Sequence, residues 1–158
     1  MRTIELPVTN EWTPELLEGL PPDYRYEVSE GRLTLSARAM RPWQADGIAR
    51  VCRLLRAQGR LAYHNQGVVV GPGEIGCCDV GVFHGPPKDA AYHPARAFEL
   101  VVDAVSPAPA RYAAGRIPEY WRVDEIDGDT VIYQHRLVRD EYVESRVVLL
   151  SALEAESV

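Results

Sequence analysis

Two aspartates stand alone inside apolar, strand-like runs: Asp103 in FELVVDAVSP (Phe98–Pro107) and Asp79 in CCDVGVF (Cys77–Phe83). An ionised carboxylate taken out of water is costly unless a cation, a hydrogen-bond set or an open pocket compensates it, so each acid is either paired or faces a site. On neighbouring strands the two can hold a hard divalent cation such as magnesium through oxygen ligands, with metal-bound water left to hydrolyse a phosphodiester. The alternative is an ion pair with arginine, of which the chain has many: Lys88 is the sole lysine among seventeen basic residues. A mechanism that needs a lysine therefore has one candidate.

Composition narrows the setting of this chemistry. At 158 residues and 46% hydrophobic, the chain suits one domain, 1–158, around one core. Its formal charge of −6 argues against a protein that coats nucleic acid, while leaving room for a local basic groove. No apolar run is long enough to cross a bilayer, and MRTIELPVTNEW breaks its apolar residues with Glu5, Pro7 and Asn10, so the expectation is a cytoplasmic protein with no membrane association. Cys52, Cys77 and Cys78 are odd in number and two are adjacent, which fits neither a disulfide framework nor a zinc spacing; reduced core thiols are expected.

The elements that position the acids follow from periodicity. Thr13-Pro14-Glu15-Leu-Leu-Glu-Gly19 predicts a short helix capped by Thr13 and stopped by Gly19. Tyr24–Ser29 and Arg32–Ser36 alternate around Glu30-Gly31, a hairpin in which Glu27 and the residues at even spacing from it share a face. Trp43–Gln58 carries Ile48, Val51, Cys52, Leu54 and Leu55 at helical spacing before Gly59; Arg50, Arg53 and Arg56 fall off that stripe, on a solvated or a phosphate-contacting face. Leu61–Val70 and Cys77–Phe83 read as strands, the second with Asp79 on the side of Cys77 and Phe83 and with Cys78, Val80 and Val82 on the other. HGPPKDAAYHPA reads as a polar connection with His84 and His93 on its surface, and Glu119–Ile126, Thr130–His135 and Tyr142–Leu149 as a closing meander before an ordinary terminus at Glu154–Val158.

Four segments carry a likeness to a known family: YEVSEGRL (Tyr26–Leu33), CDVGVF (Cys78–Phe83), LVVDAVSP (Leu100–Pro107) and PARYAAGRIPEYWRVD (Pro109–Asp124). With these the chain resembles the Uma-two family of restriction endonucleases, of the PD-(D/E)XK nuclease fold. The resemblance covers most of the chain from Tyr24 to Val143, and its last segment is the most specific. It implies an α/β (α+β) fold, a restriction-endonuclease-like mixed sheet flanked by helices, with a magnesium-dependent site and a homodimer. Asp79 would be the first metal-binding acid, Asp103 would stand for the family's glutamate and Glu27 would be the accessory acid. The chain departs from the pattern at four places. Asp103 is shorter than glutamate by a methylene, and about two helical turns are absent where Ser106-Pro107 runs through Ala108 into Pro109. The family's lysine position consequently falls on Ala108, and the histidine opening the long helix is replaced by Ala45 or a neighbour.

Three functions follow as expectations. In the first, the domain is impaired as a nuclease and its acidic cleft serves a small organic substrate or ligand, lined by Asp79, Asp103, Glu27, Tyr112 and Trp121, with a carboxylate as general base. In the second it is a magnesium-dependent DNA endonuclease with Asp79 and Asp103 as ligands and Arg111 in place of the lysine, able to stabilise charge but not to act as a base. In the third it is a non-catalytic dimeric interaction module whose acids are paired with arginine. A structure with both acids salt-bridged and no pocket above them favours the third.

Overall fold

A computed structural model describes residues 11–37, 39–104 and 108–156. Helix α1 (Pro14–Glu18) begins where the Thr13 hydroxyl accepts a hydrogen bond from the Leu16 amide and ends at Gly19. It leads into β1 (Tyr24–Ser29) and β2 (Arg32–Ala37), whose antiparallel pairing turns through Glu30 and Gly31 at φ +52° and +77°. Both turn residues are left-handed, as a tight hairpin with the right-handed strand twist demands. Helix α2 (Pro42–Ala57) starts on a proline, which needs no amide there, and buries the predicted Ile48, Val51, Cys52, Leu54 and Leu55. Gly59 at φ +79° ends it.

Strands β3 (Leu61–Gly71) and β4 (Glu74–Phe83) form a long antiparallel pair joined at Pro72-Gly73, so β4 begins three residues before Cys77, where alternation alone placed its start. The stretch read as a bare connection is more ordered than expected. It holds a short strand, β5 (Tyr92–Pro94), parallel to β3 at Gly67–Val69, and a single 3-10 turn at Ala95–Ala97. Gly67 makes this possible, because a Cβ there would lie 2.2 Å from the Tyr92 ring.

Strand β6 (Phe98–Asp103) pairs antiparallel with β4, and β7 (Glu119–Ile126) pairs parallel with β6 after the crossover helix α3 (Pro109–Ala114). Strands β8 (Asp129–Val138) and β9 (Glu141–Leu149) complete the antiparallel meander, and a register shift opposite Gln134 and His135 leaves Ser145 as the extra residue of a bulge. The terminus is not bare: α4 (Leu150–Glu156) folds back and buries Leu150 and Leu153.

The result is one mixed, mostly antiparallel sheet, ordered β2-β1-β4-β6-β7-β8-β9 with β3 and β5 beside β4, flanked by helices: an α+β fold. Under α2 and α4 pack Val80, Val82, Leu100, Val102, Trp121, Val123 and Ile132. The opposite face packs Tyr112 and Ile117 against Cys78, Phe98, Val101 and Tyr120, and α1 covers the hairpin end with Leu17 and Leu20 on Tyr26, Val28 and Ile75. Cys78 thus leaves the company of Val80 and Val82, so strict alternation fails at Asp79. All three cysteines are free and buried, as expected.

Candidate functional site

Strand β4 forks the sheet. One of its edges is taken by β1 at Val28↔Ile75 and then by β6 from Val80↔Val102 onward; between these contacts Gly76–Asp79 faces the gap. The β4–β6 register continued by one step sets Asp79 opposite Asp103, and Glu27 enters from β1. The three acids singled out in the sequence therefore do converge.

The residue at the centre of the fork is Arg25. Its Nη1 donates to Asp79 Oδ1 at 2.7 Å, its Nη2 donates to the Cys77 carbonyl, and its Nε donates to Glu27 Oε1 at 3.3 Å. Asp103 Oδ1 lies 3.9 Å from Nη2, at the limit of an ion pair. The guanidinium is planar, permanently charged and fork-shaped, so a single side chain spans several oxygens at once. Arg25 is only 7% exposed, and Asp79 and Asp103 are fully buried. The alternation of YRYEVS carried the signal for it: Tyr26 and Val28 pack on the α1 side, which leaves Arg25 on the face of Glu27.

The remaining partners close the cluster. Asp79 Oδ2 accepts from the Ala104 amide at 2.6 Å. The Tyr120 hydroxyl donates to Asp103 Oδ2 at 3.4 Å, and Asp103 Oδ1 is buried with no hydrogen-bond partner among the described residues. Burial first, and then the Asp79 charge beside it, push the Asp103 carboxyl well above the usual carboxylate range, against the opposing pull of Arg25 and the Ala108 amide. Burial and the same acid raise the Tyr112 and Tyr120 hydroxyls, keeping both as neutral phenols. Burial likewise raises the Cys78 thiol, which is no thiolate nucleophile.

Arg111 reaches the cluster from α3, with its Nη1 2.8 Å from Glu27 Oε2 and its Nε 3.9 Å from Glu74 Oε2. Its stem crosses Gly76, where a Cβ would lie 2.9 Å from Arg111 Cδ. It neutralises Glu27 and makes no ion pair with Asp79 or Asp103 among the described residues. Tyr112 borders the acids, 1% exposed and tilted against Tyr120 with centroids 6.0 Å apart, whereas Trp121 points to the other side of the sheet, into the core beneath α2. Of the helix arginines, Arg50 pairs with Glu154 and Arg56 lies over the Tyr63 ring while donating to the Ala62 carbonyl. Ser106 and Pro107 of the shortened junction lie outside the described residues.

A magnesium ion does not fit this arrangement. It would need carboxylate oxygens at about 2.0–2.1 Å, yet both oxygens of Asp79 are already engaged, one by Arg25 and one by Ala104. Asp103 is favoured as the neutral acid, and the guanidiniums of Arg25 and Arg111 already pair with the carboxylates of Asp79 and Glu27. Four cavities formed by described residues lie elsewhere, each lined without Glu27, Asp79, Asp103, Arg111, Tyr112 or Trp121.

Compared with known proteins, the chain matches no family model and no curated sequence.

Proposed function

We propose that this is a domain of the Uma-two, restriction-endonuclease-like kind that does not cut nucleic acid: an arginine stands where the metal would sit, and the domain works as a non-catalytic binding module. The observation that carries the reading is the Arg25 guanidinium hydrogen-bonded to Asp79, the Cys77 carbonyl and Glu27 inside the fork of the sheet. A fixed internal cation supplies the compensation that Asp79 needs without admitting water or a phosphodiester. The acidic charge of −6 agrees with a protein that does not track a nucleic-acid backbone. A homodimer belongs to the same proposal and is checked by light scattering.

The test is a titration with magnesium and with manganese together with a plasmid-nicking assay. The wild-type chain is expected to show neither saturable binding at millimolar metal nor nicking above a metal-free control. Tight metal binding with nicking that Asp79→Ala abolishes would establish the endonuclease instead.

One observation favours a second reading, that of a small-molecule enzyme. Asp103 is a buried acid held towards its neutral form with one oxygen unpartnered among the described residues, which is how a general acid is poised. The reading requires a small molecule to reach Asp103, and protection of the Tyr120 and Tyr112 resonances on ligand addition would support it.

A further inference from the structure

The loop between β4 and β6 carries chemistry that the acid cluster does not use. His93, at the centre of β5, is 5% exposed, its ring edge-on to Phe83 at 4.7 Å and to Phe98 at 6.1 Å. The surface position expected for it is corrected by the parallel pairing of Val68 with His93, which draws the ring under the loop. His93 lines two cavities at the loop, of about 330 and 360 Å³, which also share Pro86, Pro87 and Lys88.

The wall chemistry of the first cavity is one-sided. His84, Lys88, His93 and Arg96 line it together with Phe83 and the Pro86-Pro87 pair, and no carboxylate does. In a chain of net charge −6 this is a local reversal of sign. Neither Lys88 nor Arg96 forms an ion pair among the described residues, while Arg25, Arg50, Arg60, Arg111, Arg116, Arg122 and Arg146 all do. Two acids lie near: Glu99, 3.8 Å from His84, and Asp89, which lines the second cavity. The volume is at the lower end of what small-ligand pockets offer, too small for a folded partner and sufficient for one ring with one charged group.

We infer that this loop binds a small organic anion, with its phosphate or carboxylate group held by Lys88, Arg96 and the imidazole of His93 and its apolar body lodged against Phe83 and the Pro86-Pro87 pair. The site is independent of the Arg25 cluster and stands whether or not the domain hydrolyses phosphodiesters.

The experiment is an NMR titration of the full labelled chain with phenyl phosphate, benzoate, inorganic phosphate and benzyl alcohol, following the His93 ring and the 84–96 amides. Phenyl phosphate or benzoate is expected to shift these resonances saturably at millimolar concentration, and the tighter of the two identifies the anion. Benzyl alcohol, uncharged but of the same shape, should bind at least about tenfold more weakly. Lys88→Gln and Arg96→Gln, both at exposed positions, should each weaken the anion about threefold to tenfold, and Arg50→Gln should leave it unchanged. The inference is overturned if no probe saturates, if the Lys88 and Arg96 variants bind as wild type does, or if a short oligonucleotide occupies the same residues more tightly than any of the small anions.

Discussion

Replacing Arg25 with methionine keeps an unbranched apolar stem but removes the guanidinium and its charge, leaving Asp79 buried with the Ala104 amide still on Oδ2 and the arginine donor gone from Oδ1. Because Arg25 is 7% exposed and Asp79 fully buried, solvent screening is small and the cost of an orphaned buried charge applies, about 3–5 kcal/mol. A domain of this size has about 5–15 kcal/mol in total and loses about 2–4 °C of Tm per kcal/mol, so a fall of about 6–20 °C is expected by scanning calorimetry. The companion variant Arg25→Met with Asp79→Asn removes both charges and should recover at least half of the loss, since a neutral amide is far cheaper to bury than a carboxylate. Magnesium supplies the second arm. With the guanidinium gone, a dication that enters the fork at a hundred times its Kd would return about 2.7 kcal/mol, so the single variant should be stabilised by magnesium where the wild type is not. Equal stability of wild type and Arg25→Met would refute the reasoning. So would an equal magnesium response in both, because either result means that Arg25 neither holds the acids nor stands in for a metal.

Other outcomes follow from the same structure. Asp103 has a folded pKa raised above its unfolded value, so the folded state holds a proton that the unfolded chain releases; stability should fall as pH rises above about 4 towards the raised value, by up to about 1.4 kcal/mol per unit. Asp103→Asn should flatten that slope in urea unfolding across pH and be at least as stable as wild type at pH 7; an unchanged slope would assign the pH dependence elsewhere. Leu153→Ala should cost about 2–4 kcal/mol by denaturant titration, because α4 is part of the core rather than a frayed end. Gly67→Ala sets a methyl group against the Tyr92 ring and should release β5, read as faster amide exchange at 92–94 with a loss of about 1–3 kcal/mol.

Periodicity made much of the fold legible before any coordinates. The hairpin at Glu30-Gly31, the stripe of α2 and the closing meander announce themselves through turn residues and apolar spacing, and each forms at or within a few residues of the expected limits. What escaped was short or depended on distant partners. Strand β5 has three residues and exists only because Gly67 on β3 leaves room for Tyr92. Helix α4 shows two buried leucines in a single turn, too little to distinguish it from a terminus until α2 and the sheet give them a surface. That Asp79 and Asp103 lie together was readable from the strands that carry them, and Glu27 was expected beside them through the family resemblance, but the identity of their partner was not readable. Any of the many arginines could have filled that place, and only the fork between β1 and β6 selects Arg25.

The bulge at Ser145 has a consequence for how copies of this chain behave at high concentration. Strand β9 ends the sheet, and Val143, Val147 and Leu149 are each more than 40% exposed. In an unbroken strand Val143, Val147 and Leu149 would share one face and make a flat, sticky border. The extra residue instead pairs Val143 with Arg136 and Val147 with Tyr133, neighbours on opposite faces of β8, and places Glu144 and Arg146 between them. A second edge aligned against β9 would meet a kinked ladder and a split apolar row, the arrangement by which natural sheets resist growing end to end into fibrils.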